Sequence, residues 1–388
     1  MPAPIFTEKA LSDDVLNDNL NYMPSDEVWE QSVKPLLQEF LDMGIDPNTK
    51  FDPDRHILFT DDYFAKTQRK TLAQLGCKET HQEPISEIGV SEPFPLFTDE
   101  CIALMRWEVF QEQTFKKWAR LSSTSTTGDK DLYMRGYALE ESSFTKDAWT
   151  HPRVQAIVDQ MSGVHLVPQF DYEIGNINIS LRQPDTTILG VNSDKNQAPK
   201  EMPGIVSWHY DSPQFVCVLM LSDTTNMIGG ETALATGDGR VVRAEGPKRG
   251  WATILQGRVL KHIATKPRGN FTERITSVTS YRPKDVMLDN SPLTTVKPSV
   301  LTGSLYNEFY KDYMNYRLDV LAERVEILRK KINDDITKGN KFDQLETIEF
   351  FKQKVNAYVE QTWQEFEVVD DGLVERPANY NIVRATWD

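Results

Sequence analysis

The chain has 388 residues, with 43 Lys and Arg against 58 Asp and Glu, a formal net charge of −15. That balance argues against a general nucleic-acid binder, which needs a basic face to neutralise phosphates, while 39% hydrophobic and 26% charged residues are the composition of a folded chain with a substantial core. Three scattered cysteines, Cys77, Cys101 and Cys217, make neither a disulfide framework nor a CxxC zinc pair, so a reducing, cytoplasmic setting is expected.

The opening MPAPIFTEKALSDD lacks the basic and continuous apolar stretches of a secretory signal. Residues 1–163 read as a mainly helical region packing on the core, with helical periodicity over 26–43 and 99–121. Its last helix is predicted from Thr150 as N-cap and Pro152 in the first turn, with Val154, Ile157, Val158 and Met161 on one face and Gly163 as the stop.

From Val164 to about 290 the pattern changes to short runs of Val, Ile, Thr and aromatics punctuated by Gly, Pro, Asn and Asp, which indicates an antiparallel unit, a barrel or jelly roll. Strands are predicted at 176–182, 215–221, 231–236, 240–244, 251–255, 258–263 and 275–281, with TGDGR at 236–240 as a hairpin turn. The apolar run FVCVLML at 215–221 is strand length, far short of the roughly 20 residues of a membrane helix, so no membrane association is expected. The polar stretch 192–203 reads as a surface loop. Region 303–368 is helical again, with segments over 304–336 and 344–366 covering the core, and 369–388 is a tail.

Of six histidines, two have ligand-like company. His209 and Asp211 form an HxD at the entrance to the 215–221 strand, and His262 follows 53 residues after His209 on another predicted strand. Two imidazoles and one carboxylate make the facial triad that binds Fe(II) and leaves coordination positions open, as a closed four-ligand zinc site does not. Twelve residues after His262 comes Arg274, with Thr276 two positions on and therefore on the same strand face. A guanidinium beside a hydroxyl suits a distal carboxylate. His56, His81, His151 and His165 are read as structural or surface residues.

Asn176, Asn178, Ser180 and Arg182 share the polar face of one strand and are candidates to border the site, Arg182 as a partner for an anionic substrate. Tyr210 and Phe215 beside the ligands, and Ile348 and Phe350 on the last helix, are candidate apolar lining, with ordinary core packing the competing reading.

This constellation resembles the iron(II)- and 2-oxoglutarate-dependent oxygenases, in the branch that includes plant flavonoid and gibberellin oxygenases and isopenicillin N synthase. The likeness covers about 166–285. GGETAL at 229–234 resembles the segment after the family's second strand, and LQGRVLKHIA at 255–264 its turn before the distal histidine. NINISLRQPDTTILGV at 176–191 resembles the strand and LGV segment ahead of the HxD, and Arg274 and Thr276 fall on an RxS motif with Thr for Ser. Asn178 stands where the family often has a Tyr that helps hold the oxoacid; its amide keeps hydrogen-bonding capacity.

The resemblance implies an α+β fold, a double-stranded β-helix (jelly-roll, cupin-like) core at 164–290 with helical elaborations at both ends in one integrated catalytic domain. It implies metal ligation by His209, Asp211 and His262, co-substrate contacts from Arg274, Thr276 and Asn178, and use of Fe(II), 2-oxoglutarate and O2. The reaction would oxidise a C–H bond of a small metabolite by hydroxylation, desaturation or cyclisation, with succinate and CO2 as co-products and no separate acid or base. An amino acid or an intermediate of fungal or bacterial specialised metabolism is the expected substrate class. Two alternatives stay open: an isopenicillin N synthase-like oxidase in which Arg274 grips the substrate's own carboxylate, and a catalytically weak metal-binding jelly-roll protein. Oligomeric state is open too.

Overall fold

Side-chain alternation along the middle of the chain builds one large antiparallel sheet and a small one facing it. The computed structural model describes residues 13–122, 131–181, 204–205 and 208–366. Among these the strands are β1 (Arg69–Thr71), β2 (Ile88–Ser91), β3 (Phe94–Pro95), β4 (Ala119–Leu121), β5 (Asp131–Met134), β6 (Leu166–Pro168), β7 (Asn176–Leu181) and β8 (Phe215–Met220). They continue as β9 (Met227–Ile228), β10 (Thr232–Ala235), β11 (Val241–Arg243), β12 (Trp251–Leu255), β13 (His262–Ala264), β14 (Arg268–Gly269) and β15 (Glu273–Pro283).

The large sheet runs β1-β2-β12-β8-β15-β7-β5-β4, with β3 added on β12 and β6 on β15; the small sheet runs β11-β10-β13, and β14 pairs with β9. The 11-residue β15 is its spine, pairing Thr276 with Asn178 of β7 on one side and Val278 with Val218 of β8 on the other. Period-two alternation divides β15 between two environments. Ile275 and Tyr281 are fully buried in the core that includes Trp149, Val154 and Phe309 of the flanking helices. Arg274, Thr276, Val278 and Ser280 line a cavity on the opposite face, which Thr232, His262 and Ala264 of the small sheet close.

Besides its helices the N-terminal region contributes strands that were not expected, β1 to β5 all being members of the large sheet. The 99–121 periodicity resolves into helices Asp99–Val109 and Glu112–Trp118, after which Ala119–Leu121 extends to pair with β5. Over 26–43 the helical path is continuous but its ladder shifts ahead of Pro35, which has no N–H to donate. The helix Pro152–Ser162 is capped by His151, not Thr150: His151 Nδ1 accepts from the Arg153 amide at 3.2 Å, while Thr150 closes the preceding helix by donating to the Lys146 carbonyl. Gly163, at φ 73°, ends it as predicted. Of the predicted 258–263 strand only His262–Ala264 is extended, since 256–260 turns back on itself through Val259 and Leu260 amides on the Gln256 carbonyl. The 236–240 turn is present, the Thr236 amide reaching the Arg240 carbonyl at 2.9 Å. No helix among the described residues is long and apolar enough to cross a membrane.

At the C-terminus, helix Tyr306–Thr337 is followed by a helical return over 344–364. The two are clamped by guanidinium groups stacked on Tyr358, Arg317 at 3.4 Å and Arg324 at 4.0 Å from the ring centroid. Arg317 also donates to the Thr362 hydroxyl at 2.9 Å and the Tyr358 carbonyl at 3.0 Å. Truncation to Ala removes a desolvated cation–π contact and strands those acceptors, so Arg317→Ala should lower unfolding free energy by roughly 2–4 kcal/mol; urea denaturation followed by circular dichroism measures it, and an unchanged midpoint would contradict the clamp.

Candidate metal centre

His209 and His262 are brought together by the backbone. Each donates its amide to the other's carbonyl, at 3.0 and 2.9 Å, an isolated antiparallel bridge that continues the small sheet beyond β13. Directly opposed residues project to the same side, and the two rings sit 4.4 Å apart. Asp211 returns to that side two positions later, its amide held by the Gly257 carbonyl at 3.0 Å. Its carboxylate lies 3.4 Å from His209 Nε2 through Oδ1 and 3.3 Å from His262 Nε2 through Oδ2. One ligand atom from each residue falls within 4.8 Å of the others, the single such cluster found among the described residues.

The cluster is rich in acceptors. His262 Nδ1 is 2.9 Å from the Leu260 carbonyl, which can only accept, so the network assigns the hydrogen to Nδ1 and turns Nε2 toward Asp211. Asp211 Oδ2 is buried with no hydrogen-bond partner among the described residues. Burial opposes charge on Asp211, but the two imidazoles outweigh it and hold the carboxyl well below the usual range. For His262 burial acts downward and the Asp211 charge prevails, raising its pKa. The arrangement calls for a positive charge between these side chains, supplied by a proton or by a metal ion.

The triad opens on a cavity of about 160 Å³ whose far wall carries Arg274 and Thr276. Arg274 is 3% exposed, and burial pushes its pKa down to about 10. Its hydrogen bonds among the described residues are Nε to the Gly230 carbonyl at 2.8 Å and a long Nη1 contact to Thr276 Oγ1 at 3.5 Å. The acids that favour its charge, Glu231 and Asp131, are engaged elsewhere, with Arg243 and with the Ser180 hydroxyl. With no contacting carboxylate among the described residues, this buried cation is suited to an incoming anion.

Asn176 and Asn178 line the same cavity, Asn178 directly opposite Thr276 in the sheet. The other expected substrate contacts lie elsewhere. Ser180 is opposite Arg274 but its hydroxyl is turned to Asp131 at 2.6 Å. Tyr210 packs against His81 with the rings tilted and their centroids 3.9 Å apart, and Phe215 points into the helix-side core while Val216 and Val218 face the cavity. Ile348 is half exposed, and Phe350 borders a surface groove with Leu328 and Ile332, because the apolar stripe of this helix meets the long helix before it. Arg182, the 192–203 stretch and the 369–388 tail lie outside the described residues. The remaining histidines have local roles: His56 Nδ1 accepts from the Asp52 amide, His151 caps a helix and His165 pairs with Asp159.

Sequence reasoning missed Tyr133, Arg135, Glu173 and Ser280, all on the cavity wall. Glu173, fully buried and three residues before Asn176, sits in a mixed stretch that also holds Gln169 and Asp171, so its burial carried no sequence signal, and neither did that of Arg135.

No family model and no curated protein matches the chain. Similar solved structures include an oxidoreductase of the 2OG-Fe(II) oxygenase family from Burkholderia pseudomallei, 16% identical over 41% of this chain and 71% of that one, with a TM-score of 0.30. AviO1 from Streptomyces viridochromogenes Tue57 is 15% identical over 53% of this chain and 93% of its own, with a TM-score of 0.34. The epimerase SnoN in complex with Fe3+, alpha ketoglutarate and nogalamycin RO is 14% identical over 42% and 67%, with a TM-score of 0.29.

Proposed function

We propose that this chain is a non-haem Fe(II)- and 2-oxoglutarate-dependent oxygenase that oxidises a C–H bond of a small metabolite. The observation that carries the reading is one cavity holding both an acceptor cluster of two imidazoles and a carboxylate and, opposite it, a buried guanidinium without a contacting anion among the described residues. The donor set fits Fe(II), for which two His and one carboxylate leave positions open; a structural zinc site would take a fourth protein ligand. Bound iron would supply dioxygen activation coupled to oxidative decarboxylation of the oxoacid.

The chain's own residues do the rest. His209, Asp211 and His262 hold the metal, with His262 oriented by the Leu260 carbonyl. Arg274 and Thr276 take the oxoacid's distal carboxylate, and Asn178 offers an amide beside them. Charge balances when all are present: the divalent metal and Arg274 against Asp211 and a dianion, which is what a buried site requires. Val216, Val218 and Leu255 form an apolar wall that keeps water from the reacting groups. We read the small sheet, extended by His209 and opposed to β8, β15 and β7, as the second half of a double-stranded β-helix, with 164–290 as the catalytic core of one domain.

The test is an anaerobic titration of the Fe(II)-loaded protein with 2-oxoglutarate, followed by the visible charge-transfer band of the chelate. The band should saturate in the wild type, and Arg274→Ala should weaken the oxoacid about a hundredfold, the value of two charge-assisted hydrogen bonds. Iron bound without any band would overturn the oxoacid assignment and favour the oxidase in which Arg274 holds the substrate's carboxylate. Failure to bind iron would overturn the whole reading.

A further inference from the structure

The cavity has a second polar pole. Along β15, Ser280 lies six residues from Arg274, roughly 20 Å at the rise of an extended strand. A five-carbon diacid anchored on Arg274 spans less than half of that, so the groups around Ser280 are left for another ligand.

At this pole the fully buried Glu173 is the organiser. Its Oε1 pairs with Arg135 Nη2, and its Oε2 accepts from Asn176 Nδ2 at 3.1 Å and from the Ser280 hydroxyl at 2.8 Å. An ionised carboxylate can only accept, so Asn176 must turn its NH2 toward Glu173 and its Oδ1 away. That Oδ1 has no partner among the described residues, and neither has Arg135 Nε. Asn176 is 4% exposed and Arg135 7%, and both line the cavity. A buried polar atom without a partner is costly. Here one is a pure acceptor and the other a pure donor, set on the two arms of one carboxylate. The Arg135–Glu173 pair is neutral as a unit, so a charged group arriving here would be desolvated without a counter-ion.

We propose that this pole binds an uncharged amide, its N–H donating to Asn176 Oδ1 and its C=O accepting from Arg135 Nε, with Glu173 as the positioning residue. Val278, Val296 and Leu301 supply apolar wall beside it, which suits a lactam or an N-alkyl amide. Taking that amide as the oxidised substrate rests on the oxygenase reading above; the pocket itself does not.

The experiment compares 2-pyrrolidinone with its near-isosteres γ-butyrolactone, which lacks the N–H, and cyclopentanone, which lacks the ring heteroatom too. Binding to the full chain is followed by ligand-observed NMR, on wild type, Asn176→Ala and Glu173→Gln. Wild type should prefer the lactam by about tenfold or more, since the lactone leaves Asn176 Oδ1 unpaired. Asn176→Ala should erase the preference. Glu173→Gln should reduce it, because a carboxamide at 173 lets the Asn176 amide turn over. Equal binding of lactam and lactone to wild type would overturn the proposal whether or not the variants fold, as would a preference that survives Asn176→Ala. The 2-oxoglutarate band on the wild type separates the two ideas: a band without lactam preference removes the amide pole alone, and lactam preference without a band removes the oxygenase reading alone.

Discussion

Asp211→Ala is expected to weaken Fe(II) binding by at least about a hundredfold while leaving the fold intact. Asp211 is the one anion in the ligand set, so its loss removes both a coordinating oxygen and the charge that balances the metal in a buried place. Perturbing groups that merely orient ligands already costs about 10- to 100-fold. The fold should tolerate the change because the contacts of the carboxylate are to the two ligand imidazoles, and what positions the residue is its backbone amide on the Gly257 carbonyl, which Ala retains. Anaerobic equilibrium dialysis with Fe(II) reads the affinity, and circular dichroism reads the fold. Iron binding equal to the wild type would remove Asp211 from the centre and the facial triad with it.

The site residues legible in the sequence are those whose placement depends on local periodicity. His209 with Asp211, and Arg274 with Thr276, are i, i+2 pairs, and an extended backbone puts each pair on one face whatever the rest of the chain does. Parity against the rest of the fold was harder to read. The run 215–221 is apolar throughout, so nothing in it says whether Phe215 or Val216 faces the cavity; pairing of β8 with β15 decides, and it turns Phe215 to the helices. The stripe containing Ile348 likewise reveals an apolar face without its partner.

The second pole of the cavity was illegible for a different reason. Arg135 and Glu173 are 38 residues apart and meet beside Asn176 only through the pairing of β5 with β7. The strands that bring the N-terminal region into the large sheet are two to four residues long, too short for an alternation to show. The charged pair that lines this end of the cavity is therefore a product of long-range register.

Gly257→Ala should be nearly as damaging to iron binding as loss of a ligand, although Gly257 touches no metal. It lies in the turn between β12 and β13, and its φ is outside the left-handed region, so alanine meets no backbone penalty there. The obstacle is steric. A Cβ at 257 would overlap Asp211 Oδ2 and stand 2.8 Å from Cγ and 3.0 Å from Cβ of the same side chain. The carboxylate has little room to yield, since Oδ2 is buried and its oxygens face the two imidazoles. It must leave the position in which its oxygens meet both rings, and iron affinity should fall at least about tenfold, as when ligand orientation is lost. Gly239→Ala is the opposing control. Gly239 has φ 82° in the hairpin turn with open space around a Cβ, so alanine there should cost roughly 1–2 kcal/mol of stability through backbone strain and leave iron binding unchanged. Dialysis and urea denaturation on both variants give a crossed pattern if the triad is the metal centre: affinity lost at 257, stability lost at 239. If Gly257→Ala keeps wild-type affinity, the crowding of Asp211 by the turn has no bearing on metal binding.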